Sequence, residues 1–231
     1  MKISYKILRK LALTWPLAIA AGWIFLVDVA PSRLYATAVE SLSTEELREL
    51  QARLNKRQSL SVRFTQTRTS SLRPKKPSKS SGKALFAKPA KFRWEIEQPS
   101  PDVLLFDGRA LVNYKPGEKT ATRFSAEAER AKEIKEVIDF VLDFDALLNR
   151  YAIKEAVRSG NVITMHLKPK AASAINELSI EIDAKSFFVS LIKMSFQNKN
   201  TSEFRFSDPS VAELSPGSFS VPEGYKVVEG V

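Results

Sequence analysis

FAKPAKFRWEIEQP, residues 86–99, alternates large apolar side chains with charged ones. Phe92, Trp94 and Ile96 stand at every second position, and Arg93, Glu95 and Glu97 fill the gaps. Side chains of an extended strand point alternately to its two faces, so the run predicts a strand with one apolar and one charged face. Fold and function both turn on what covers the apolar face.

The same period recurs on either side. Val62 with Phe64, Ala84 with Phe86, residues 103–106 and residues 111–114 read as strands. Turn chemistry separates them at Lys88-Pro89, Pro99-Ser100-Pro101, Asp107-Gly108 and Pro116-Gly117. Asp107-Gly108 between two apolar runs predicts a tight hairpin. Later strands fall at residues 151–157, at Ile163, Met165 and Leu167, and at Leu178, Ile180 and Ile182. Ile192, Met194 and Phe196, then Phe204 and Phe206, complete the series.

Two stretches read as helix. Ser43 with Glu46 is a capping box, in which the serine hydroxyl takes a free N–H and the glutamate reaches back to the serine N–H. Leu47, Leu50 and Leu54 then recur at helical spacing to about residue 56. Residues 126–148 hold no Gly or Pro, and Ile134, Val137, Ile138 and Val141 share one helical face. The spacing predicts one helix there and a shorter one beginning near Asp143. The sum is a mainly β (α+β) fold, a curved antiparallel sheet with helices against one face.

The chain has 231 residues, 44% hydrophobic and 27% charged, enough for one substantial core. Its start belongs to another class. Lys2, Lys6, Arg9 and Lys10 precede an apolar run over 11–27, and Ala36-Thr37-Ala38 closes the stretch. That is the order of a secretory signal peptide, so cleavage after Ala38 is expected, leaving residues 39–231 as an exported domain. A retained anchor competes with this reading, but the run is short of the roughly 20 residues that span a bilayer comfortably.

Export changes how the charge reads. Taking the five basic and one acidic residues of 1–38 from the chain's 36 and 26 leaves 31 against 25, a net of +6. Much of the excess sits in residues 68–83, where Arg68, Arg73, Lys75, Lys76, Lys79 and Lys83 lie among Ser and Pro. That segment reads as a solvated, flexible loop between strands, or as a patch for anionic lipid headgroups or an acidic partner. Nucleic acid is a poor partner for an exported protein. Cysteine is absent, which excludes disulfides and an N-terminal lipid on cysteine.

Catalytic chemistry is thin. The single histidine, His166, alternates out of the apolar set Ile163, Met165 and Leu167, and so reads as a surface residue. One histidine and no cysteine leave no thiol catalysis and no common zinc site. Glu95 and Glu97 share a strand face, but alternation with Arg93 makes that face an outer charged one. The sequence has no GxGxxG and no GxxxxGK. No enzyme, cofactor or metal is expected.

The opening stretch belongs to a longer pattern. Gly82, Lys88-Pro89, Phe92 with Trp94, Gln98-Pro99, Asp107-Gly108 and Tyr114 with Pro116 fall in order over residues 82–119. Phe64 with Gln66, Leu167-Lys168-Pro169-Lys170, Thr201 before Phe204 and Phe206, and Phe219-Ser220-Val221-Pro222-Glu223-Gly224 extend it. This ordered set, covering nearly all of 42–225, closely resembles the LolA family of periplasmic lipoprotein carriers.

The resemblance implies an open antiparallel half-barrel with a helical lid over an apolar cavity. It implies acylated lipoproteins as cargo, taken without a cofactor from the inner-membrane ABC transporter LolCDE and handed to the outer-membrane acceptor LolB. LolB shares the fold but is itself a lipoprotein, which the missing cysteine argues against here. A monomer making transient membrane contact fits such a carrier. On this basis Phe64, Phe86, Phe92, Trp94, Ile96, Leu105, Ile134, Val137, Ile138, Val141, Ile180 and Met194 are expected to line the acyl cavity. The family's basic residue before Pro, often arginine, is thought to latch the lid through its carbonyls; here it is Lys88, which lacks arginine's planar fork of donors. The alternatives are a LolA-like carrier or sensor of another envelope lipid or glycolipid, and a glycolipid hydrolase for which no base is evident.

Overall fold

In a computed structural model, the structure describes residues 39–125, 141–211 and 213–230. Thirteen strands among them form one open sheet. They are β1 (Val39–Ser41), β2 (Ser59–Thr69), β3 (Ser78–Ala87), β4 (Lys91–Gln98), β5 (Asp102–Phe106), β6 (Ala110–Tyr114) and β7 (Thr120–Ser125). After them come β8 (Tyr151–Ser159), β9 (Val162–Pro169), β10 (Ile175–Asp183), β11 (Val189–Phe196), β12 (Thr201–Ser210) and β13 (Lys226–Glu229). The spatial order is β1-β8-β9-β10-β11-β12-β2-β3-β4-β5-β6-β7-β13. Pairing is antiparallel except at one edge, where β13 runs parallel to β7. The short strands β1, β7 and β13 escape the two-residue pattern.

Among the described residues the helices α1 (Thr44–Asn55) and α2 (Phe144–Arg150) pack on the sheet. The α1 capping box forms as its residues dictate. The Glu46 N–H donates to Ser43 Oγ at 3.3 Å, and the Ser43 N–H donates to Glu46 Oε2 at 2.9 Å. The Ser43 N–H and Oγ both donate to the Glu46 carboxylate and draw its pKa below its usual value, the backbone N–H contributing most. Asp143 caps α2 by accepting the Ala146 N–H at 3.0 Å. Residues 126–140, including Ile134, Val137 and Ile138, lie outside the described residues, while Val141 and Leu142 are helical and buried.

The Asp107-Gly108 hairpin forms as expected. Asp107 Oδ1 accepts the N–H groups of Arg109 and Ala110 at 2.8 and 2.9 Å, and Gly108 supplies the positive φ of +98°. Gly82 answers a different demand, a register shift between β3 and β4 at Ser81/Gly82. A Cβ on Gly82 would meet the Glu95 carbonyl oxygen at 1.8 Å, so no other residue fits.

The basic segment needs correction. β2 and β3 continue their ladder as far as Arg68 and Ser78, so half of residues 68–83 is strand and 70–77 forms the loop. Polar strands rich in Ser and Lys carry too little apolar periodicity to be recognised in sequence.

One apolar cluster joins α1, α2 and strands from β8 round to β6, including Met165, Ile180, Phe64, Phe86 and Leu111. Strands so far apart in the sheet share a cluster because the sheet curls around it. On the outer face a smaller cluster of Val103, Val112, Tyr114 and Ala121 is covered by Val221 and Tyr225.

Candidate functional site

The strand quoted at the outset supplies the floor of the inner face. Register aligns Phe86 with Phe92 and Phe106, and Val62 with Ala84, Trp94 and Leu104. The Trp94 ring lies 3.9 Å from Phe64, 5.5 Å from Phe204 and 6.4 Å from Phe86, centroid to centroid. Phe92 and Phe106 stack at 6.4 Å and Phe204 and Phe206 at 6.3 Å. Edge and tilted contacts of this kind add to the burial of large rings. Ile180 and Met194 extend the floor through β10 and β11, and Ile96 packs against it partly buried.

Leu105 does not join them. Cross-strand partners share a face, and Leu105 stands opposite Arg93 and Val112 whereas Leu104 stands opposite Trp94. It lies on the outer face, buried all the same. Residues 103–106 are apolar without interruption because both faces there are covered, so alternation could not choose between them.

The roof comes from Leu50 and Leu54 of α1, Phe144 and Leu147 of α2, and Val141 with Leu142 between them. Polar contacts tie the helices together. Asn55 Oδ1 accepts the Phe144 N–H at 2.9 Å, and the Gln51 amide donates to the Asp145 carboxylate.

Lys88 reaches a helix end, while most of the lid whose carbonyls it was expected to hold lies outside the described residues. Among the described residues its Nζ donates to the main-chain carbonyl of Asn55, the last residue of α1, at 2.8 Å. The Lys88 N–H also extends the β2–β3 ladder to the Gln58 carbonyl at 2.9 Å, which places its side chain beneath the end of α1. The last helical carbonyls lack intrahelical donors and carry the negative end of the helix dipole, so an ammonium is well placed there. The Lys88-Pro89 and Gln98-Pro99 peptide bonds are both cis.

Charges elsewhere are largely structural. On the outer face Arg93 donates from Nε to Glu95 at 2.5 Å and from Nη2 to the Tyr114 hydroxyl at 2.7 Å. Burial raises the Tyr114 pKa above its usual value, with Arg93 opposing. Glu97 pairs with Arg63 at 2.7 Å and Lys83 at 3.8 Å, so the glutamate pair forms the outer charged face. His166 is half-buried and stands opposite Ser179 and Glu155. A recess of about 470 Å³ at the base of α1 is lined by Arg53, Lys56, Arg57 and Lys185 among others. Arg57 Nη2 donates to the Ser186 carbonyl at 2.8 Å, and burial lowers the Arg57 pKa. Among the described residues no three His, Cys, Asp or Glu gather as metal ligands.

Sequence reasoning missed the Asn55 bridge and the outer-face cover. A side-chain cap between elements 89 residues apart leaves no local signal. The closing Phe219–Gly224 motif hints at the cover, for Phe219 is buried and Val221 packs outside Tyr114.

An open sheet thus curls around an aromatic floor, roofed by helices held through a few polar contacts. The chain belongs to the LolA family: residues 55–222 match the family described as outer membrane lipoprotein carrier protein LolA. The outer-membrane lipoprotein carrier protein of Vibrio vulnificus strain YJ016 is 29% identical over 182 residues, covering 78% of this chain and 87% of that one. Its counterpart in Vibrio cholerae O1 El Tor Inaba N16961 is 33% identical over 158 residues, covering 63% and 71%. The fold is also seen in an uncharacterized conserved protein from Thermus thermophilus, with TM-score 0.52 and 9% identity over 80% of this chain and 99% of that one.

Proposed function

We propose that this protein is a non-enzymatic periplasmic carrier that shields lipoprotein acyl chains against the inner face of its sheet. The Phe64–Trp94–Phe204 floor under a polar-latched helical roof is the observation that carries this reading. Burying each methylene is worth about 0.8 kcal/mol, so a dozen contribute on the order of 10 kcal/mol before ordering costs. Such binding extracts cargo readily and releases it poorly. A closed state in which the roof covers the same floor competes with cargo and makes release feasible. Phe64, Phe86 and Phe92 are at most 2% exposed, so a chain enters only by displacing the roof.

The carrier works as a monomer, accepting lipoproteins from a LolCDE-type transporter and yielding them to a LolB-type acceptor. Cleavage after Ala38 would leave β1 whole, since Val39 opens that strand opposite Ser159. The processed form then begins at Val39 and fractionates as soluble protein; intact Met1 recovered in membranes would make it a tethered carrier.

A mass spectrum of the apolar extract from protein purified out of its own envelope tests cargo identity. Acylated peptides are expected. Free glycolipid with no acylated peptide would overturn the lipoprotein reading in favour of a carrier or sensor of another envelope lipid.

A further inference from the structure

We propose that the β2–β3 loop, residues 70–77, is a docking surface for anionic phospholipid bilayers, with Leu72 inserting between headgroups that Arg73, Lys75 and Lys76 neutralise. Leu72 is 89% exposed at the tip of this loop. It is held there by hydrogen bonds. The Ser71 N–H donates to Asn200 Oδ1 and Ser71 Oγ to the Asn198 carbonyl, both at 2.9 Å, which ties the loop to the β11–β12 turn. Turn bonds from the Arg73 N–H to the Ser70 carbonyl and from the Lys76 N–H to the Arg73 carbonyl, each 3.1 Å, fix the rest. A loop so braced, with an apolar side chain aimed away from every core, has no packing reason to carry leucine.

The charge around it is unbalanced. Residues 68–83 contain six cations and no Asp or Glu, and the adjoining turn adds Lys199. Three arginines elsewhere on the sheet do have acidic partners, in Arg63–Glu97, Arg93–Glu95 and Arg205–Glu203. Arg73, Lys75, Lys76, Lys79 and Lys199 form no ion pair among the described residues. Unpaired cations around one exposed leucine suit a surface that is anionic at its headgroups and apolar below them. An acidic protein segment would use the charges and leave the leucine idle.

Continuity with the inner face gives the contact a purpose, and this part rests on the carrier reading. Phe64, Gln66 and Arg68 alternate along one face of β2, from the aromatic floor out to the loop. The Arg68 guanidinium lies 2.7 Å from the buried Gln66 amide, which also bonds the Ser202 hydroxyl at 3.0 Å. Docking therefore brings the rim of the apolar face to the membrane where acylated cargo sits.

The test is flotation of envelope-purified protein with phosphatidylcholine vesicles, with and without phosphatidylglycerol. Binding is expected only with phosphatidylglycerol, weakened about tenfold or more by Lys75→Ser/Lys76→Ser and comparably by Leu72→Ser. The chain has no cysteine, so Leu72→Cys carrying an environment-sensitive dye reports insertion directly, and its emission should shift to the blue on anionic vesicles. Undiminished flotation of Leu72→Ser, or a dye that stays in water while the protein floats, would overturn the proposal. So would binding to polyglutamate as tight as to vesicles and indifferent to Leu72→Ser. An acyl-probe titration separates the two ideas: flotation without probe binding keeps the docking surface and removes the carrier, whereas probe binding without flotation does the opposite.

Discussion

Lys88 Nζ and the main-chain carbonyl of Asn55 meet at 2.8 Å where α1 ends, and the Asn55 side chain takes the Phe144 N–H at the start of α2. One residue thus ties a strand end to α1 and α2. On the proposed carrier reading, lifting the roof from the floor parts the Lys88–Asn55 contact.

Lys88→Leu removes a charge-assisted hydrogen bond from the closed state, worth about 1.5–3 kcal/mol. Stability of the empty protein should fall by about that much, and affinity for a fluorescent acyl ligand should rise by roughly ten- to a hundredfold. Transfer to an acceptor should slow as release becomes harder, while Lys88→Arg, keeping the charge, should restore both. Unchanged affinity in Lys88→Leu would make Lys88 a plain strand-end lysine.

Asn55→Ala keeps the carbonyl that Lys88 uses but deletes the cap on the Phe144 N–H, a loss of about 1 kcal/mol. If both contacts act on one roof, a double-mutant cycle with Lys88→Leu should show coupling rather than simple addition. Strict additivity in urea melts would mean that α1 and α2 separate independently.

Trp94 is the sole tryptophan of residues 39–231, so the fluorescence of the processed protein reports one site. Acyl ligand reaching the floor should shift its emission, since its ring packs among Phe64, Phe86 and Phe204. Saturable binding that leaves Trp94 emission untouched would place the ligand away from this floor.

Gly82→Ala has no room for its methyl group, which would lie 1.8 Å from the Glu95 carbonyl oxygen. Backbone cannot yield cheaply, so a loss of about 3 kcal/mol is expected. It should appear as a lower urea midpoint with unchanged slope. A wild-type midpoint would show that the β3–β4 register slides without cost.

Tyr114 gives a prediction at high pH. Its folded pKa lies above the ordinary value of 10.0, chiefly through burial. The unfolded chain therefore loses this proton first, and the contribution to stability is complete below pH 10 and lost as pH rises toward the folded pKa. Tyr114→Phe should be less stable at neutral pH, lacking Arg93's acceptor, yet lose less between pH 10 and 11. Parallel decline of both proteins in urea melts across that window would remove Tyr114 as the cause.

What could be read in the sequence was whatever local chemistry enforces. Ser43 and Glu46 announced α1, Asp107-Gly108 its hairpin, and Phe92, Trp94 and Ile96 the inner face. Where two competing forces leave the same composition, reading failed. Leu105 is apolar on the outer face because Val221 and Tyr225 cover its neighbours, a contact made by chain more than a hundred residues away. Lys88 stands out in the sequence only by resemblance, and its contact with the Asn55 carbonyl, 33 residues away, only by folding.

The first and last strands of the sheet, β1 and β13, have neighbours on one side only, and the order of strands never returns on itself. A closed barrel has its girth set by strand number and stagger. This one has no such circumference. Small changes of twist spread over many strands can widen the trough or draw it in while every ladder hydrogen bond stays made, so cargoes with different numbers of chains meet a vessel without a fixed gauge.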